Sequence, residues 1–277
     1  WKLYCLKNEF RSLADVVHPN LVSLYELVSH AQEWMLVMEH VEGVTLDRWV
    51  RVSEEGEGAP MPNAMATQPN ADTLPMAAQG MSSRPPPRGR ADVTRIRESF
   101  GQLAEGIQAL HRAGKLHRDL KPANVMVRGD GRVTILDFGL VIDRNDVREP
   151  DSARVAGTFE YLSPERIRGE PASEASDWYA LGVMLYEALT GSLPYEGSGP
   201  ASALLRARGV PPRSPSDLVQ GVPDDLDRLC RSLMHPEEGA RPAGREVLAR
   251  LSGRRVMSDS ESAQLVLVGR DAELETR

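Results

Sequence analysis

The spacing of apolar positions along this chain changes several times, and each change predicts an element. Leu3, Leu6, Phe10, Leu13 and Val17 recur at helical spacing until His18-Pro19-Asn20 interrupts them, which predicts a first helix. Leu21 to Val28 and Trp34 to Met38 are short runs rich in Val, Leu and aromatic residues, with the polar stretch Ser29 to Glu33 between them. They predict two antiparallel strands. A short helix from Thr45 to Val52 is expected after the Glu42-Gly43 turn. Val93, Ile96, Phe100, Leu103, Ile107 and Leu110 form a second helical stripe, with Gly114 placed to end it. Val125 to Val127 and Val133 to Leu136 flank Arg128-Gly129-Asp130-Gly131-Arg132, a hairpin pattern. Further helices are predicted from Asp177 to Thr190, ending at Gly191, and around Ala201 to Ala207, Leu226 to Leu233 and Val247 to Leu251. No internal repeat is visible.

Between Ser53 and Asp92 the pattern lapses into Pro, Gly, Ala, Met, Asn and Ser, with no aromatic residue and the run Pro85-Pro86-Pro87. Such a segment cannot bury enough apolar surface to offset its conformational entropy, so residues 53–92 are expected to be a flexible insertion. The proline run is read as a spacer, with a docking peptide as the alternative.

Composition narrows the function. The 277 residues are 41% hydrophobic and 26% charged, enough for one large domain or two lobes. A formal charge of −7 argues against the basic face that nucleic acid requires. No apolar run approaches the roughly 18–20 residues of a membrane helix and no signal peptide is present, so a cytoplasmic protein without a membrane span is expected. Cys5 and Cys230 lie far apart in apolar segments and are expected as buried thiols in preference to a disulfide. They have no metal-ligand spacing.

The candidate chemistry lies in residues 117–124, His-Arg-Asp-Leu-Lys-Pro-Ala-Asn, charged residues delivered by a buried helix and followed at once by an apolar strand. Three common residues together carry little information, but the spacing adds more. Asn124 lies five residues after Asp119, Asp137-Phe138-Gly139 follows across one hairpin, and Ser163-Pro164-Glu165 closes a polar segment. The set resembles the protein kinase family, whose catalytic loop reads His-Arg-Asp-x-x-x-x-Asn. Phosphoryl transfer needs a carboxylate to accept the proton of an incoming hydroxyl, a cation near the transferred phosphoryl group, and oxygen ligands for magnesium. The resemblance gives these roles to Asp119, Lys121, and Asn124 with Asp137. Gly139 lets the chain turn sharply after Asp137.

By the same resemblance, the fold class is α+β, bilobal and kinase-like, with a truncated small sheet lobe (1–41), a complete helical large lobe (42–251) and a linker from 252 to 277. Glu9 looks like the helix glutamate that pairs with a strand lysine. Leu13, Leu24, His117 and Phe138 would stack as a spine between the lobes. Met38 would be the gatekeeper, with Glu39 to Val41 as the hinge that meets adenine. Asp177 would anchor the catalytic loop or cap its own helix, Arg241 would pair with Glu165, and Thr158 would touch Asp119 and Lys121. Lys121 indicates the serine/threonine class, so ATP and Mg2+ are the implied cofactors and a Ser or Thr hydroxyl on a protein the implied acceptor. Arg118 implies a basic pocket for a phosphorylated activation loop, with Ser152, the only hydroxyl between Gly139 and Gly157, as the default phosphosite.

Two departures qualify the resemblance. A Gly-rich phosphate loop and a Val-Ala-x-Lys strand do not occur, and Lys2 is only seven residues before Glu9 on the same predicted helix. These 277 residues are therefore expected to begin inside the small lobe and, by themselves, to transfer phosphate weakly or not at all. Leu267-Val268-Gly269-Arg270-Asp271-Ala272-Glu273-Leu274 resembles the opening of regulatory ATPase modules fused to some large bacterial kinases, or is an ordinary surface segment. The reading is a serine/threonine protein kinase; the rival is a catalytically inactive kinase-like binding module.

Overall fold

A computed structural model describes Phe10 and residues 15–30, 33–52, 89–136, 159–195 and 200–252. Two strands, β1 (Leu24–His30) and β2 (Glu33–Met38), form an antiparallel hairpin. β3 (Val44–Thr45) leads into the short helix α1 (Leu46–Trp49), and β4 (Arg51–Val52) pairs with β5 (Arg90–Ala91). The long helix α2 spans Val93–Arg112. β6 (Val125–Val127) and β7 (Val133–Ile135) make a hairpin, and β3 joins it to give the antiparallel order β3-β6-β7. Helices α3 (Pro164–Ile167), α4 (Glu174–Thr190), α5 (Pro200–Ala207), α6 (Pro215–Leu218), α7 (Asp224–Leu233) and α8 (Gly244–Leu251) complete an α+β fold with a small sheet region and a helical body.

α2 forms as its pattern predicts. The Asp92 side chain accepts from the Arg95 amide (3.0 Å), capping the first turn, and Ile96, Phe100, Leu103, Ile107 and Leu110 are wholly buried. Each such side chain contributes roughly 1.5–3 kcal/mol through burial, as an upper bound. The helix stops where Gly114 takes φ +72°. The Gly114 amide donates to His111 O (2.9 Å) and the Lys115 amide to Leu110 O (2.9 Å), the paired bonds of a Schellman turn. That turn aims the chain at the charged loop of residues 117–124.

α4 is the hub, with every residue from Ser176 to Leu189 buried. Such a helix belongs inside a protein, and α2 and α7 both pack on it. The approach of α7 requires Gly182, where an added Cβ would lie 2.7 Å from Leu233 Cβ.

The structure corrects five boundaries. The predicted strand Leu21–Val28 begins at Leu24, because Leu21 and Val22 serve a different sheet: the Val22 amide donates to Ile135 O (3.0 Å) and the Ile135 amide to Asn20 O (2.9 Å), alongside β7. The polar stretch expected between the strands is largely strand itself, since backbone pairing continues to His30 and Glu33 whatever the side chains. The helix expected to reach Val52 ends at Trp49, and strand β5 precedes the helix expected from Val93. Both follow from β4 pairing with β5, which clasps the two ends of the insertion. Arg51 secures the clasp by donating to Gly89 O (2.7 Å) and to Glu187 O and Ala188 O (both 3.1 Å) at the C-terminal end of α4. Finally, α4 starts at Glu174, with Ser173 at the N-cap position and its amide donating to Ser176 Oγ (3.2 Å), so Asp177 lies within the first turn and is not the cap.

Candidate active site

Asp177, in the first turn of α4, is 2% exposed. Its Oδ2 accepts from the His117 amide (2.9 Å) and His111 Nε2 (2.9 Å), and its Oδ1 from the Arg118 amide (2.8 Å). Two successive amides can converge on one carboxylate only if the chain turns between them, and Arg118 does so at φ 68°, the one positive φ among described non-glycine residues. Burial works against the Asp177 charge; the bond from His111 and the charges and amides around it outweigh burial and hold the carboxyl below its usual range. His117, fully buried, donates from Nε2 to Leu136 O (3.1 Å), and its Nδ1 accepts from the Asp119 amide (3.4 Å). The charged loop thus hangs from two buried side chains.

What the loop presents is a compact polar cluster. Lys121 Nζ lies 2.7 Å from Asp119 Oδ2, and Asn124 Nδ2 donates to Asp119 O (2.8 Å) and Oδ2 (3.1 Å). A 3-10 turn, Pro122–Asn124, swings Asn124 back toward Asp119 before β6 begins. With its nitrogen committed to Asp119, Asn124 leaves the amide oxygen as the atom available to a cation, and no described residue donates to it. Asp119 and Lys121 stay about a quarter exposed, accessible to a substrate.

Across the cleft stands the segment 159–165. Asp119 and Leu120 of the loop and Tyr161, Leu162 and Ser163 of that segment line the cleft together. Its lower end is tied by Glu165, whose two oxygens each take a 2.7 Å bond from Arg241 in a buried bidentate pair. Burial alone would raise the Glu165 pKa, but the bonds and charge of Arg241 outweigh it and bring the value to about 2. Tyr161 donates to Glu187 Oε2 (2.6 Å) on α4. Arg206 of α5, 1% exposed, donates from Nη1 to Glu160 O (2.9 Å) and Leu162 O (3.0 Å).

At the expected hinge, Met38 ends β2 opposite Leu24 and is partly exposed, and the Glu39 amide donates to Ser23 O (2.8 Å). The Glu39 carboxylate pairs with Arg128 from the β6–β7 turn, and Val41 packs against the core. The structure therefore places Arg118, Asp119 and Asp177 around one cleft, with Lys121 and Asn124 bonded to Asp119 and Arg241 paired with Glu165. Glu9, Leu13, Asp137, Phe138, Gly139, Ser152 and Thr158 lie outside the described residues, as do the insertion between β4 and β5 and the segment after Ser252. Cys230 is a buried thiol, as expected, and burial pushes its pKa up; Cys5 lies outside the described residues.

Sequence reasoning missed three side chains. Asn20 is buried and donates from Nδ2 to Val133 O (2.8 Å) and Gln102 Oε1 (3.1 Å), joining the segment before β1 to the larger sheet. His111 shares the Asp177 carboxylate with the loop. Arg206 shares one face of α5 with buried Ser202 and Ala203, and that cation on an inward face was its available signal.

Comparison with known proteins agrees with this geometry. Residues 4–251 match the profile described as the protein kinase domain. The probable serine/threonine-protein kinase PknB of Corynebacterium glutamicum is 36% identical over 185 residues, covering 63% of this chain and 28% of that protein. Serine/threonine-protein kinase PknL of Mycobacterium tuberculosis is 33% identical over 233 residues (83% and 49%), and PrkC of Bacillus subtilis 26% over 280 residues (97% and 38%). The chain belongs to the protein kinase domain family, of the bacterial serine/threonine type. It spans less than half the length of each of these relatives. No helix among the described residues is long and apolar enough to cross a membrane.

Proposed function

We propose that this domain transfers the γ-phosphate of ATP to a Ser or Thr hydroxyl of a protein, in the cytoplasm. The observation that carries the reading is the cluster of Asp119, Lys121 and Asn124 held by Asp177. Asp119 orients the acceptor hydroxyl and takes its proton. Lys121, beside it, supplies positive charge where the transferring phosphoryl oxygens collect, and the fixed loop limits reorganisation during the reaction. The amide oxygen of Asn124 is a ligand of the type Mg2+ takes, and Asp137 is proposed as the second. Bound there, Mg2+ would supply positive charge that offsets the charge of the phosphate oxygens. Met38 and Glu39 to Val41 are proposed to border the adenine, Arg118 to face a phosphorylated activation loop, and Ser152 to be its phosphosite. Leu267 to Leu274 is proposed, on its resemblance, to be the opening of a fused regulatory ATPase module.

The test is phosphate transfer from labelled ATP to a generic basic protein, by the complete protein carrying this domain. Asp119→Asn should lower kcat roughly 10²–10⁴-fold with the KM for ATP unchanged, because base removal leaves nucleotide contacts in place. Equal turnover by wild type and variant would sink the assignment.

A further inference from the structure

Arg206 occupies an unusual position for a charge. The residue is 1% exposed, and among the described residues it forms no salt bridge. Its hydrogen-bond partners among the described residues are carbonyl oxygens: Glu160 and Leu162 from Nη1, and Ser202 in its own helix from Nε at 3.4 Å. The guanidinium carbon also sits 5.8 Å from the Tyr195 ring centroid. Holding a cation out of water chiefly by carbonyl oxygens is unfavourable, and an apolar side chain would fill the space with less desolvation. What the arginine adds is geometry, since one planar nitrogen holds two carbonyls at fixed separation.

Those carbonyls flank Tyr161, in the wall that faces Asp119 and Leu120 across the cleft. This wall begins with the 3-10 turn Phe159–Tyr161, in which Phe159 is 41% exposed. We infer that Arg206 is a positioning residue for the protein substrate, acting through the backbone of residues 160–162, which it holds at the distance from Asp119 that the acceptor chain requires. This rests on the kinase reading above. Arg206 touches neither the loop 117–124 nor the hinge, so its influence falls on the acceptor protein and not on the nucleotide.

The experiment is steady-state phosphate transfer by the complete protein, with histone as acceptor and labelled ATP, for wild type, Arg206→Leu and Arg206→Lys. Loss of the two carbonyl bonds should raise the KM for histone about tenfold. The KM for ATP and the slow hydrolysis of ATP without acceptor should stay within about twofold of wild type. Arg206→Lys, with one ammonium able to reach a carbonyl, should fall between the two and stands in for the test if Arg206→Leu does not fold. A parallel change in both KM values, or loss of turnover with the acceptor KM unmoved, marks a merely structural residue and overturns the inference. Absence of transfer by the wild type itself overturns the kinase reading and this inference with it; normal wild-type transfer with unaltered variants overturns only the inference.

Discussion

Two backbone segments face each other across the candidate site, and charges of opposite sign hold them. The loop 117–124 hangs from an anion: Asp177 receives two successive amides and an imidazole. The segment 159–165 is held by cations, Arg206 donating to two carbonyls and Arg241 to both oxygens of Glu165. In each case a buried charge is neutralised by several hydrogen bonds, which is the condition under which burying it is tolerable. The difference lies in what each anchor grips. Asp177 grips amides of residues adjoining the proposed base, so its effects should reach kcat. Arg241 grips a side chain at the far end of the opposite wall, so its effects should appear first as stability.

The largest expected effect tests the cationic side. Arg241→Leu leaves the Glu165 carboxylate buried without its partner and should destabilise the fold by about 3–5 kcal/mol, measured by urea unfolding. Arg241→Leu combined with Glu165→Leu should recover most of that loss, since no charge is then stranded. Equal stability of the single and double variants would show that the pair is not the anchor.

Acid separates the same interaction from packing. The Glu165 pKa is about 2 folded and near 4.5 for an ordinary glutamate, so its contribution is fully present above about 4.5 and disappears as pH falls toward 2. The full contribution is about 3 kcal/mol. Unfolding free energies measured between pH 5 and 2 should therefore fall more steeply for wild type than for Glu165→Gln, and parallel curves would refute the linkage.

The smallest effect is expected on the anionic side. Asp177→Asn keeps one acceptor oxygen but turns a donor toward the loop, and a hydrogen bond to a charged group is worth about 1.5–3 kcal/mol. Stability should drop by that amount, and kcat should fall while the KM for ATP holds. A loss of stability with unchanged kcat would mean that the loop keeps its shape without its anchor.

Much of this arrangement is readable from local pattern. The buried stripe of α2, the αL turn at Gly114, the β6–β7 hairpin and the spacing of Asp119, Lys121 and Asn124 involve residues near one another in the chain, where helical period, turn chemistry and a short loop leave few alternatives. Family spacing also brought out Asp177, Glu165 and Arg241, although their contacts span many residues. The sequence by itself therefore determined the elements and the chemically active loop. Only the tertiary structure decided that Leu21 and Val22 run beside β7 and not within β1, that Arg51 clasps the insertion to the end of α4, and that Arg206 turns inward to hold the wall of the cleft. Each depends on which distant backbone group is left to be satisfied once the helices have packed, and that is set by the assembled core.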